Sequence, residues 1–78
     1  PLAIEGAAGA LPFVKKAGLV DIDGEPLLAV EVSNPPSDWA KVIQTATGIP
    51  VRAVPEIPVD PRHNAKVDRM ILRERLRG

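Results

Sequence analysis

The residues best suited to chemistry lie close together near the C-terminal end of the chain, between positions 60 and 69. They are the chain's one histidine and three cationic side chains, namely His63, Arg62, Lys66 and Arg69. An irregular segment just before a helix can hold a cation away from the body of its domain. The Lys66 ammonium is a compact point charge with three rotatable donors, which suits a carboxylate or phosphate oxygen that moves during a reaction. On the residues alone, a solvated Lys66 followed by Asp68 as a helix cap is the simpler interpretation.

Other kinds of chemistry have little support. The chain has no cysteine and one histidine, which excludes a disulfide framework and a thiolate metal site. Asp21 and Asp23 flank a predicted turn and are better explained by the turn than by a metal ion. The six glycines are scattered, so no phosphate-binding loop is present in this sequence. Nothing connects His63 to a serine nucleophile.

The formal net charge is zero, with ten cations and ten carboxylates. Residues 1–60 carry four cations against eight carboxylates, whereas residues 61–78 carry six against two. The basic end could meet phosphate, nucleic acid or an acidic protein face, or it could be a solvated helix face balanced by the acidic body. A small nucleic-acid-binding module or a plain interaction domain therefore remains open. The chain's two aromatic residues, Phe13 and Trp39, offer no stacking platform for bases.

The first half of the chain predicts a helix and a β-hairpin. Apolar residues at helical spacing predict a short helix over residues 2–11. Asp23-Gly24 between apolar runs predicts a hairpin of residues 17–22 and 27–32, in which Glu25 and Pro26 lengthen the loop. The nearly continuous apolar run from Leu27 to Val32 is typical of a strand that is covered on both faces.

The second half predicts a helix from Trp39, capped by Ser37 or Asp38 and ended by Gly48, and then a short strand over residues 51–54. Residues 55–61 have a proline at every third position, which predicts a mobile, extended arm. A last helix is expected over residues 68–76, with an apolar stripe formed by Ile71, Leu72 and Leu76. The fold class is therefore a small α+β domain, a three-stranded sheet packed by helices in the order α-β-β-α-β-arm-α.

The segment Ile57-Pro58-Val59-Asp60 followed by Asn64-Ala65-Lys66-Val67-Asp68-Arg69 resembles the last motif of the adenylate-forming superfamily. That superfamily contains acyl-CoA synthetases, luciferases and the adenylation domains of peptide synthetases. The order of the other elements agrees, so the resemblance covers nearly the whole chain. It reaches only the small C-terminal subdomain, and residues 1–78 are therefore expected to be a fragment without the N-terminal ATP-binding domain and hinge.

The sequence departs from the family motif at two places. Ala65 stands where the family has glycine, and Arg62-His63-Asn64 is an unusual insertion. The run from Arg62 to Lys66 is similar to the olefin-pathway ligases of the same superfamily, which form β-lactones from long-chain β-hydroxy acids.

The resemblance implies that Lys66 is the lysine of the adenylation half-reaction, with Arg62 and His63 as weaker candidates for substrate contact. Arg69 is expected to fix the arm or the helix start, and Phe13 and Trp39 to lie in the core. The whole enzyme would use ATP and Mg²⁺, neither bound by this fragment alone. Its partners would be the N-terminal adenylation domain and an acyl carboxylate substrate, with no nucleic acid and no membrane span. We expect a cytoplasmic ligase whose isolated C-terminal chain is inactive.

Overall fold

The computed structural model describes residues 2–63 and 66–77 of the chain. Its elements in chain order are α1 (Leu2–Gly9), β1 (Val14–Ile22), β2 (Glu25–Val32), α2 (Trp39–Thr47), β3 (Val51–Ala53), β4 (Val59–Asp60), a 3₁₀ turn (Pro61–His63), β5 (Lys66–Val67) and α3 (Arg69–Arg77). Strands β1, β2 and β3 form one sheet in that order, and β4 pairs with β5 in a second, two-stranded sheet. The predicted α+β class with a three-stranded sheet is confirmed; the small second sheet was not predicted.

The central strand β2 separates two apolar clusters. It pairs antiparallel with β1 and parallel with β3, and Leu28, Ala29 and Val30 are fully buried. Successive side chains of a strand point to opposite faces, so Leu28 and Val30 pack with Ile43 of α2 while Ala29 packs on the other face with Leu72 of α3. The predicted two-sided coverage of this strand is confirmed.

The hairpin turn is shorter than the sequence suggested. Asp23 and Gly24 have φ angles of 52° and 85°, and Ile22 pairs directly with Glu25. Two central residues with positive φ give a tight turn whose twist matches that of the strands, so the predicted longer loop is wrong. Pro26 lies in β2 outside the part that pairs with β3, where its missing N–H leaves that ladder intact.

The helix ends agree only in part with the sequence signals. Gly48 has φ 73° and donates its N–H to the carbonyl of Gln44, which confirms the predicted glycine end of α2. The predicted side-chain cap at the start of α2 is wrong, because Asp38 occupies the cap position without a side-chain hydrogen bond.

The proline-rich segment is attached to the domain rather than free. Ile57 is fully buried and donates its N–H to Glu31 Oε1 at 3.1 Å. Val59 pairs with Val67 and Asp60 pairs with Lys66, so the end of the predicted arm is one strand of a small hairpin. Asn64 and Ala65, which belong to the predicted motif, lie outside the described residues.

Helix α3 packs on the sheet through residues that are four positions apart. Leu72 is fully buried and Leu76 is half-buried against the same cluster. Ile71 is exposed, so its predicted place in the apolar stripe is wrong; one residue of helix turns a side chain by about 100°, away from the sheet. At the far end, Arg52 Nη1 donates to the carbonyl of Leu76 at 3.0 Å. Among the residues that the structure describes, no helix is long and apolar enough to cross a membrane.

Candidate functional site

Lys66 is the first residue of β5 and its side chain is exposed. Its backbone pairs with Asp60 of β4, at the end of the small hairpin that carries the 3₁₀ turn. Within residues 2–63 and 66–77, no ion pair or side-chain hydrogen bond involves the Lys66 ammonium. The structure therefore presents this cation to solvent, where an incoming anionic group can reach it.

The two residues after Lys66 are held tightly. Val67 packs against Gly18 of β1, since a Cβ built on that glycine would lie 3.0 Å from Val67 Cγ1 and 3.0 Å from Leu72 Cδ2. Asp68 donates its N–H to the carbonyl of Pro58 at 2.9 Å. Its carboxylate accepts the N–H of Ile71 at 3.1 Å, which is the helix cap expected from the sequence. The backbone beside Lys66 is thus held in place, while its side chain is exposed.

Arg69 joins the start of α3 to two other elements. Its Nη2 lies 2.6 Å from Glu5 Oε2 on α1, and its Nε donates to the carbonyl of Leu19 on β1 at 3.1 Å. The same Glu5 oxygen accepts the N–H of Leu19 at 2.6 Å. The predicted role of Arg69 in fixing the helix start agrees with this geometry. For Glu5 the sequence predicted a position in the first helix but not the contact with Arg69, because no sequence signal links residues so far apart.

The two weaker candidates lie in the 3₁₀ turn between β4 and β5. Arg62 is exposed; its N–H donates to Asp60 Oδ1 at 2.9 Å and its Nε lies 3.5 Å from the same oxygen. His63 is the last residue of the turn, and its side chain lies outside the described part of the structure. The structure therefore brings Arg62 near Lys66 and leaves the role of His63 as a prediction.

A shallow groove of about 540 Å³ joins these cations to exposed apolar surface. It is lined by Asp60, Arg62, Lys66, Val67, Asp68, Arg69, Met70 and Ile71. Met70 and Ile71 are 70% and 41% exposed. Sequence reasoning missed Met70; the available signal was its position two residues before the buried Leu72, on the side of α3 that faces away from the sheet. The groove thus sets the exposed Lys66 and Arg62 beside the carboxylates of Asp60 and Asp68 and next to exposed apolar side chains.

The two aromatic residues pack with the core. Phe13 and Trp39 are half-buried against the cluster that contains Leu28 and Ile43. This position agrees with the core role that was expected for both.

The basic end of the chain is partly neutralised by its own domain. Besides the pair between Arg69 and Glu5, Arg77 Nη2 lies 3.1 Å from Asp23 Oδ1 of the hairpin turn. Arg73 Nε is buried and has no hydrogen-bond partner in the described chain. Three arginines of α3 therefore lie against their own domain. In the described ranges, no group of three histidine, aspartate or glutamate side chains could hold a metal ion.

No protein-family model and no curated protein matches the chain. Among solved structures, the chain is similar to unliganded O-succinylbenzoate coenzyme A synthetase from Bacillus subtilis, with a TM-score of 0.67 and 21% sequence identity. The similarity covers 95% of this chain and 17% of that chain, so the present chain spans only a small part of that synthetase's length. The fold of this chain thus also occurs as a segment of that coenzyme A synthetase.

Proposed function

We propose that this chain is the C-terminal subdomain of an ATP-dependent, adenylate-forming acyl ligase, and that Lys66 provides the cation for its adenylation half-reaction. The observation that carries the proposal is the similarity of fold to an acyl-CoA synthetase over 95% of the chain. The sequence supports it independently, because the residues around Lys66 resemble the last motif of the adenylate-forming superfamily. The partner in this proposal is the N-terminal adenylation domain of the same protein.

The proposed chemistry suits an exposed lysine. In adenylation, an oxygen of the acyl carboxylate attacks the α-phosphorus of ATP, an acyl-adenylate forms and pyrophosphate leaves. Negative charge builds on the phosphate oxygens as the bond to pyrophosphate breaks, and a preorganised cation stabilises that charge in a site closed to water. Among the described residues the exposed Lys66 ammonium forms no ion pair, and its backbone is paired with Asp60, so the side chain can enter such a site without first leaving a partner in that part of the chain.

The way in which β5 is anchored bears on how Lys66 would arrive. Val67 and Asp68 are tied to Gly18 and Pro58, so the backbone of Lys66 would move with the whole subdomain rather than on a separate arm. The exposed Met70 and Ile71 beside it provide apolar surface for contact with the N-terminal domain.

ATP and Mg²⁺ are assigned in this proposal to the whole enzyme and to its N-terminal domain. The described part of this chain contains no cluster of metal-ligating side chains, and its glycines form no phosphate loop. Arg62 and His63 are proposed only as additional contacts to substrate. The narrower similarity to β-lactone-forming ligases rests on the run from Arg62 to Lys66 and stays a prediction.

The competing nucleic-acid or interaction module needs a free basic face on α3. Arg69 instead forms a partly buried ion pair with Glu5, and the Nε of Arg73 is buried, whereas the pair of Arg77 with Asp23 is exposed. This geometry favours the ligase over a nucleic-acid-binding module. Binding of an oligonucleotide that weakens steeply with salt would favour the module.

The proposal is tested by exchange of labelled pyrophosphate into ATP across a panel of carboxylic acids. We expect acid-dependent exchange by the full-length protein, a large loss when residues 1–78 are deleted, and none above the blank for the isolated chain. Exchange by the isolated chain would refute the assignment as a subdomain. Absence of exchange by the full-length protein with every acid would refute the ligase.

A further inference from the structure

Glu5 lies on α1, 64 positions before the arginine that it binds. We infer that Glu5 is a positioning residue for Lys66 and that it acts through the guanidinium group of Arg69. This inference rests on the function proposed above and adds to it a residue from the opposite end of the chain.

The contact is a closed set of three hydrogen bonds. Glu5 Oε2 accepts from Arg69 Nη2 and from the N–H of Leu19, each at 2.6 Å, and Arg69 Nε donates to the carbonyl of Leu19 at 3.1 Å. Because two different nitrogens of one planar group are bound, the position and the orientation of the guanidinium are both fixed. The first residue of α3 is thereby attached to α1 and to β1 at once.

This pair is better shielded from water than the comparable pair at the other end of α3. The side chains of Glu5 and Arg69 are 14% and 41% exposed, whereas those of Asp23 and Arg77 are 83% and 54% exposed. Exposed ion pairs contribute little, since solvent and salt screen them. The pair of Glu5 and Arg69 is therefore the stronger restraint, and it acts where α3 begins.

The restraint lies close to the proposed catalytic cation. Arg69 follows Lys66 by three positions, and the residues between them are held by packing on Gly18 and by one backbone bond to Pro58. Without the Glu5 carboxylate, the first turn of α3 would keep the Asp68 cap and the single bond from Arg69 Nε to Leu19, but it would lose its tie to α1 and the second bond that orients the guanidinium. The ammonium of Lys66 stands at the end of a long flexible stem, so a small backbone rotation would displace it. A misplacement of about 1 Å can cost about a hundredfold in rate.

Two variants isolate this contact without removing the bulk of a side chain. Glu5→Gln keeps one acceptor oxygen and loses the charge. Arg69→Lys keeps the charge but cannot hold both Glu5 and Leu19 in one plane. We expect each to lower the kcat of adenylation by about tenfold, with the KM for acid and for ATP changed by less than about twofold. The double variant should be little worse than either single variant, because both act through one contact.

Asp23→Asn is the matched control. It removes the carboxylate of the pair with Arg77, which also joins α3 to the β1–β2 hairpin but lies at the end of α3 far from Lys66. Asparagine tolerates the positive φ of position 23. We expect its kcat to stay within about twofold of the parent value.

The experiment measures three quantities on the full-length protein: pyrophosphate release, transfer from a supplied acyl-adenylate, and amide hydrogen exchange over residues 67–71. The inference is supported if Glu5→Gln slows pyrophosphate release, spares transfer and speeds exchange over residues 67–71, while Asp23→Asn changes none of the three. If Glu5→Gln released pyrophosphate at the parental rate while Lys66→Ala did not, the inference would be overturned and the proposed function would stand. A parallel fall of release, transfer and melting temperature would also overturn it, since Glu5 would then be structural. Parental release in Lys66→Ala would refute the proposed function itself and the inference with it.

Discussion

Gly18→Ala adds one methyl group at the seam between β1, β5 and α3. The new Cβ would lie 3.0 Å from Val67 Cγ1 and 3.0 Å from Leu72 Cδ2. Carbon atoms in good contact are about 3.5–4.0 Å apart, so both contacts are too short. Neither neighbour can easily move away. Val67 is β-branched and its strand pairs with β4, and Leu72 is fully buried.

The expected effect is a balance of two contributions. Gly18 has no positive φ, so alanine fits its backbone and would gain about 0.4–1 kcal/mol through the unfolded state. Forcing an extra carbon into a packed site costs about 1–3 kcal/mol. Overpacking is the larger contribution, and we expect Gly18→Ala to lower the free energy of unfolding by about 1–2 kcal/mol.

Gly6→Ala is the matched control for this substitution. Gly6 lies inside α1, and a Cβ there would have no atom within 4 Å other than those of its chain neighbours and of the helix's own backbone. We expect it to raise the free energy of unfolding by about 0.5–1 kcal/mol, because alanine is the better helix former. Equilibrium unfolding in urea of the parent and both variants measures the difference. If Gly18→Ala were as stable as the parent, the contact of Gly18 with Val67 and Leu72 would be loosely packed, and the claim that it holds the backbone beside Lys66 would be wrong.

Two further substitutions test other parts of the support for Lys66. Asp68→Ala removes the cap of α3 and should lower the free energy of unfolding by about 0.5–2 kcal/mol. Asp68→Asn keeps an acceptor oxygen and should lower it by less. Equal losses of the two variants in urea unfolding would show that the bond to Ile71 is unimportant. Leu72→Ala truncates the fully buried side chain of α3 and should lower the free energy of unfolding by about 2–5 kcal/mol. Ile71→Ala, at the exposed neighbour, should lower it by less than about 1 kcal/mol. Similar melting temperatures for the two variants would contradict this packing of α3.

The sequence predicted the elements whose signals are local. Asp23-Gly24 marked the hairpin, the apolar run from Leu27 marked the central strand, and Gly48 marked the end of α2. In each case a backbone preference or a pattern of burial lies within a few neighbouring residues. Asp68 as a helix cap is a signal of the same kind.

The features that were missed depend on contacts between distant residues. Strands β4 and β5 have two residues each, which is too short for an alternating pattern, and their pairing follows from the burial of Ile57 and Val67 against other elements. The prolines predicted an extended arm, of which Val59–Asp60 is a strand and Pro61 begins a 3₁₀ turn, and they gave no sign of the bond from Ile57 to Glu31. For the same reason the sequence pointed to Lys66 and Arg69 but not to Glu5 as the partner of Arg69. The face of α3 was misjudged at Ile71 because its apolar residues occur on two sides of the helix.

Pyrophosphate release by the full-length protein with Lys66→Ala tests the central claim most directly. Losing one preorganised cation should cost about 3 kcal/mol, or about a hundredfold or more in the rate of adenylation. The exposed position of Lys66 predicts a change in stability within about 0.5 kcal/mol. Lys66→Arg should restore little of the activity, since a planar guanidinium does not replace a point charge in a tight site.

Lys41→Ala, at an exposed lysine of α2, is the control and should release pyrophosphate at the parental rate. Our account predicts that Lys66→Ala loses most of its pyrophosphate release, that Lys41→Ala does not, and that the melting temperature is unchanged. From the family resemblance, transfer from a supplied acyl-adenylate should be largely spared in Lys66→Ala. Near-parental release by Lys66→Ala, or a loss of release that follows a fall in melting temperature, would contradict it.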